Sequence, residues 1–317
     1  LDGVTGVQTC ALPICFKREG NSLPYQGEIA ALTAVILWSS TAILFEALGK
    51  RIGSFNTNLM RLTLASIFLS VTLFFQDGSF FPFSASAEQK LWLGLSGVVG
   101  LALGDAAFFS CLVVLGSRLA TLLLSLSPVF TTAFAWFFLG EHLSWVGLAG
   151  IITTFTGIFW VVNEKNTDHH PRVKLKGIIL GILAAIGQAA GVILAKYGFR
   201  TEIGALAATL LRMVPAALVM WGAAVVLKRL APMKIFVSDK KASRFILIAS
   251  LIGPYLGVWL ANVAVKYAEA GVASTLLATV PVLLIPLVWI IYGHRPTLRA
   301  VIGTLISMAG VALIFMR

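Results

Sequence analysis

The sequence predicts an all-α integral membrane protein of ten transmembrane helices arranged as two inverted five-helix repeats. Three observations carry that reading. The chain of 317 residues is 58% hydrophobic and 12% charged, and its mean hydropathy of +0.93 lies far from the balance of a domain folded in water. From Gly27 onward the apolar residues fall into ten runs, each about long enough to cross roughly 30 Å of hydrocarbon at about 1.5 Å per residue. An internal match completes the case, because an offset of 153 positions lays Thr275–Thr297 on Leu122–Ser144 without a gap.

Residues 1–16 read LDGVTGVQTCALPICF. Their apolar part is too short to span a bilayer, and the cations Lys17 and Arg18 follow it instead of preceding it, which does not fit a signal peptide. The string GVQTCALPI reads like translated adapter sequence, so residues 1–16 are expected to be non-native and outside the fold, with 17–26 as an N-terminal tail. The runs then follow near 27–49, 58–75, 91–115, 119–139, 145–163, 175–197, 204–228, 244–267, 272–292 and 297–316. Connections as short as Gly116–Arg118 and Gly140–Ser144 make their flanking helices antiparallel hairpins. The longest polar connection, Asn163–Lys176, divides the runs five and five. The first repeat is therefore expected over 27–163, a linker over 164–174 and the second repeat over 175–317. An odd number of helices per repeat turns the second half upside down, the arrangement of alternating-access transporters with a substrate site between the halves near the midplane.

The offset of 153 is carried by glycine and proline, since apolar matches are cheap in such a sequence. It pairs Pro128 with Pro281, Gly150 with Gly303, Gly157 with Gly310, Gly100 with Gly253 and Gly104 with Gly257. Gly100/Gly104 and Gly253/Gly257 clear one face of the third and eighth helices, either for close helix packing or for a sliding, cavity-lining surface. Pro128 and Pro281 each remove a backbone hydrogen bond and predict bends. Ser125, Ser127 and Thr279 beside them are expected to line a cavity between the halves.

Ionisable residues inside spans are expensive, and three stand out: Arg61, Asp105 and Arg212. Glu46 and Lys196 lie nearer helix ends, where a long side chain can snorkel. Asp105 falls midway between Lys90 and Arg118, and its counterpart in the second repeat is Val258. Exposing its carboxylate to lipid costs about 2.5 to 3.5 kcal/mol, so it is expected to face the bundle interior. One reading is a buried ion pair with Arg61. The other is a functional carboxylate that binds a cationic or amino group or takes up a proton, and the two overlap if the pair breaks during a cycle.

Other classes fare worse. A net charge of +11 is spread over loops between apolar runs, which suits a membrane surface better than nucleic acid. Cys10, Cys15 and Cys111 form neither a disulfide frame nor a zinc spacing. His142, His169, His170 and His294 are scattered over loops, so no metal, cofactor or catalytic cluster is expected and a membrane enzyme is disfavoured. No GxxxxGK phosphate loop is present, which argues against ATP-driven transport by this chain alone. A channel or a non-transporting receptor is the alternative to a carrier. Counting loop cations puts seven Lys and Arg on the face of the termini and fifteen on the other, so the positive-inside rule favours termini outside.

The segment LGDAAFFSCLVVLGSRLATLLLSLSPVFTTAFAWFFLGEHLSWVGLAGIITTFTGI resembles the second half of an EamA domain of the drug/metabolite transporter superfamily. The similar elements are the small-residue third helix, Ser127-Pro128, Leu139–Glu141 and the glycine-spaced fifth helix. The second repeat keeps Pro281 and Gly293 but has His294 where the first has Glu141. The resemblance covers 27–317 and implies a ten-helix permease for metabolites, often amino acids or related compounds exported from bacteria, seated in the plasma membrane with its termini inside. It implies a small-molecule substrate, with protons as a candidate coupling ion, and leaves the oligomeric state undefined.

Overall fold

The structure, a computed structural model, describes residues 25–139, 144–163, 171–199, 202–228, 239–267, 276–293 and 296–315. The adapter-like segment, most of the N-terminal tail, Glu141 and all four histidines lie outside the described residues. Every regular element among those described is helical. In chain order they are α1 (Gln26–Ile52), α2 (Ser54–Asp77), α3 (Ala87–Ser96), the π-helix π1 (Gly97–Gly104), α4 (Asp105–Leu124), α5 (Ser127–Leu139) and α6 (Trp145–Val162). The second half holds α7 (Pro171–Gly198), α8 (Ala205–Val226), α9 (Lys240–Ser250), the π-helix π2 (Leu251–Gly257), α10 (Val258–Tyr267), α11 (Val280–Tyr292) and α12 (Leu298–Phe315).

By length and composition, eight helices among the described residues are able to cross a membrane, and Val280–Tyr292 is a shorter apolar one. Local backbone events account for the difference from ten expected runs. One of the eight, Ala87–Leu124, continues from the third run into the fourth, and it is broken at Gly116, whose φ of 82° and ψ of 167° are non-helical. α5 and α11 are cut to 13 residues each because new helices begin beside Pro128 and Pro281.

The starts of several helices follow from their caps. Ser86 accepts from the Gln89 N–H while the Gln89 side chain accepts from the Ser86 N–H, a reciprocal box that begins the third span at Ala87 instead of 91. Ser144 accepts from Gly147 N–H and Asp239 from Ala242 N–H. α7 starts at Pro171, ahead of the expected 175, where proline's missing N–H costs nothing. The two π segments end at the paired positions Gly104 and Gly257, so the same widened turn occurs in both repeats. At the end of π1 the Asp105 N–H contacts the Gly100 carbonyl, five residues back.

Packing joins the repeats reciprocally. α6 and α12 cross antiparallel through glycine: a Cβ on Gly150 would lie 2.7 Å from the Gly310 oxygen, and one on Gly310 would lie 2.7 Å from the Gly150 oxygen. Gly157 and Gly303 meet in the same mutual way. The first helix of each half lies on the third of the other. α7 packs along α3, π1, α4 and α5, and α1 along π2 and α10. Ser96 donates to the Gly191 oxygen at 2.6 Å, and Trp38, which the offset of 153 pairs with Gly191, donates to the Gly253 oxygen at 3.2 Å. The second helices α2 and α8 also pair, with Trp221 donating to Thr63 at 3.0 Å.

The core is mostly Ala, Leu and Ile, but the distribution of the remaining residues differs from that of a water-soluble protein. Ser39, Asn58, Arg61, Asp105, Thr154 and Ser307 are buried, while Phe75, Phe137, Trp145 and Ile290 are more than 70% exposed. Lipid, not water, suits such a surface.

Candidate functional site

Asp105 is the first residue of α4, directly after the π1 turn, and is 5% exposed. The wide π turn and its glycines set the carboxylate against three other helices. Arg61 on α2 donates through Nη2 to Asp105 Oδ2, and Gln188 on α7 donates through Nε2 to Asp105 Oδ1. Both carboxylate oxygens are therefore engaged, one from each half. Arg61 is itself held by Nε, which donates to Asn58 Oδ1 at 3.0 Å, and by the Phe109 ring, whose centroid lies 4.9 Å from the guanidinium carbon. The Asn58 amide in turn donates to the Leu101 and Ala102 carbonyls of π1 at 3.3 Å.

Arg212 on α8 completes the group. Its backbone carbonyl abuts Gly97, where any side chain would collide with it. A Cβ on Gly100 would lie 3.7 Å from Gln188 Oε1 and 3.8 Å from an Arg212 terminal nitrogen, so amide and guanidinium converge on one glycine of π1. Arg212 is attracted by the Asp105 charge, yet its Nε is buried with no hydrogen-bond partner among the described residues.

The other expected residues fall into two groups. Gly100 and Gly104 face Gly191 and Gly187 of α7, while Gly253 and Gly257 face Thr41 and Trp38 of α1. Pro128 and Pro281 do not sit inside continuous helices as anticipated; each lies at the start of a segment, in the first turn of α5 or α11. Their missing N–H groups fall where no intrahelical partner is needed. The turns before them are closed by Ser125, whose hydroxyl donates to the Leu122 oxygen, and Thr279, whose hydroxyl donates to the Leu276 oxygen, both at 2.6 Å. Ser125, Ser127 and Thr279 are half-buried.

Glu46 does not snorkel. It is 4% exposed, receives the Ser117 N–H at 2.7 Å and pairs with Lys50, which caps the chain just after the Gly116 break. Asn58, Phe109 and Gln188 were not anticipated. Asn58 and Gln188 carried a usable signal as amides within apolar runs, and Phe109 carried none. A surface cleft of about 670 Å³ lies elsewhere, between the end of α2, residues 79–85 and Glu202–Ala207. It contains none of these site residues.

Outside the spans, Arg51 at the end of α1 grips Asp239 with bonds of 2.6 and 2.9 Å. The hydrogen bond from Arg51, helped by the Ala242 N–H, lowers the Asp239 carboxyl to about 2, and the same contact raises Arg51.

The description EamA-like transporter family matches this chain twice, over residues 25–163 and 175–316. The chain belongs to the EamA-like transporter family. It is thus an integral membrane protein built of two EamA repeats, in a family of transporters. A solved crystal structure, described only as that of a protein, superposes on this EamA chain with a TM-score of 0.61 at 16% identity, covering 90% of this chain and 95% of its own. That likeness concerns the fold alone. No curated protein matches the sequence.

Proposed function

We propose that this EamA protein is a secondary-active permease for small metabolites, foremost amino acids or related compounds, in a bacterial plasma membrane. Its ten spans form two inverted halves of five, and alternating access proceeds by movement of one half against the other. The observation that carries this reading is a cluster, with a buried ion pair at its centre, divided between the halves. Asp105 and Arg61 come from the first, Gln188 and Arg212 from the second. Relative motion of the halves has to remake these contacts, so occupancy of the cluster by substrate or proton biases the motion.

The remaining expected residues take supporting roles. The breaks before Pro128 and Pro281 act as hinges, with Ser125, Ser127 and Thr279 lining the path beside them. The faces of Gly100, Gly104, Gly253 and Gly257 allow backbones to slide without interlocking side chains. Protein reconstituted in liposomes, preloaded with unlabelled amino acids and given labelled ones outside, is expected to show counterflow. Labelled uptake that no trans substrate accelerates, with or without a proton gradient, would mark a channel, and no flux for any compound would remove the permease reading.

A further inference from the structure

We infer that the cluster around Arg212 binds an anion, so that the transported compound carries a carboxylate or phosphate group; this rests on the permease reading for the word transported, but not for the binding. The charge count is the starting point. Arg61 and Arg212 bring two positive charges and Asp105 one negative, leaving one positive charge uncompensated in the cluster, whose Arg212 is half-buried.

Hydrogen bonding shows which group carries it. Both Asp105 oxygens are taken, by Arg61 and Gln188, and Arg61 is further satisfied by Asn58 and Phe109. Arg212 has no hydrogen bond or ion pair with any described residue, and its Nε is shut away from solvent without a partner. A guanidinium stays charged at any accessible pH and offers a planar fork that fits carboxylate or phosphate oxygens. Buried polar groups are almost always paired, so an orphan of this kind is a place for a ligand.

Local structure leaves the fork without a facing side chain at Gly100 of π1, and the Arg212 backbone is pressed on Gly97, which fixes where the side chain begins. Asp105 then serves less as a receptor for an amine than as the charge that neutralises Arg61 and leaves Arg212 for the ligand.

The test uses full-length protein in detergent, with thermal unfolding followed against sodium phosphate, sodium acetate and methylammonium chloride at constant ionic strength. Phosphate or acetate is expected to raise the midpoint by several degrees, and methylammonium is expected to do nothing. Arg212→Gln should weaken the anion response at least tenfold in apparent affinity. Should that variant fail to fold, Gly100→Ala, whose methyl meets only ordinary contacts, should weaken it while leaving the charges in place. No response of the wild type to either anion, an equal response in the variants, or a response to methylammonium would overturn the assignment. Repeating the titration in phosphatidylcholine nanodiscs with and without phosphatidylglycerol separates the source. If the anionic lipid alone gives the full shift and phosphate adds nothing, the occupant is a headgroup and the substrate assignment falls. Counterflow of neutral or cationic compounds that phosphate and acetate do not inhibit would leave the permease standing and remove the anion; anion binding with no flux of any compound would do the reverse.

Discussion

At Asp105 a single carboxylate is shared by donors from both halves of the molecule. Asp105→Asn removes the charge but keeps the shape, leaving the buried Arg61 with a weaker acceptor, and breaking such a pair costs about 3 kcal/mol. A lower unfolding midpoint in detergent is the expected outcome, and Asp105→Arg combined with Arg61→Asp should recover part of it. If the Asn variant is as stable as the wild type, the pair is not structural and the carboxylate's work lies in transport alone. Asp239 makes a different prediction because it is outside the membrane. Its carboxyl is held near 2 by Arg51, below its ordinary 3.8, so its stabilising contribution is complete above the ordinary value and disappears as pH falls through the lowered one. The midpoint of the wild type should therefore drop more steeply than that of Asp239→Asn across that acid window, whereas parallel curves would show the grip on Arg51 to be inconsequential. Arg61, Asp105 and Arg212 were visible as charges in apolar runs. That all three meet at one place was not, because the crossing of α2, α7 and α8 over π1 leaves no trace in local sequence.

Among the elements, the glycine crossing of α6 and α12 is the tightest test of the repeat. A Cβ on Gly157 would stand 2.6 Å from the Gly303 oxygen, so Gly157→Ala must push two backbones apart, at a cost of about 1 to 3 kcal/mol. Gly222→Ala in α8 meets nothing within 4 Å and should be neutral or gain up to about 1 kcal/mol of helix propensity. Detergent unfolding midpoints of the two variants check the contrast, and equal midpoints would deny the close approach. The paired contact of Gly150 and Gly310 further predicts that the double alanine variant loses less than the sum of its singles, since one methyl already separates the helices. Glycine spacing made these faces legible at the sequence level. The π turns were not: π1 and π2 are set by where Gly97, Gly100, Gly104, Gly253, Pro254 and Gly257 permit a wider coil, and a hydropathy profile is blind to that. The proline breaks were half legible, since the sequence marks the residue and only the backbone shows that a new segment begins there.

For the whole molecule, two five-run halves and their boundary at the polar connection were readable because the bilayer imposes length and the repeat imposes recurrence. The partners of each helix were not, since α7 packs along α3, π1, α4 and α5, all of the other half. Neither half is then a domain on its own. Residues 1–163 and 164–317, produced as separate chains in one cell with a tag on the first, are expected to co-purify, while each expressed alone aggregates; a monodisperse, stable first half would contradict this. Reciprocal crossing also has a consequence in time. α1 begins at Gln26 and its partner α10 ends at Tyr267, and ribosomes add about 5 to 20 residues each second, so α1 waits roughly 10 to 50 s in the bilayer before its seat exists. For that interval a newborn chain offers the face of Trp38 and Thr41 to lipid or to whatever else is being inserted nearby. Slower synthesis of the second half lengthens that exposure, and faster synthesis shortens it.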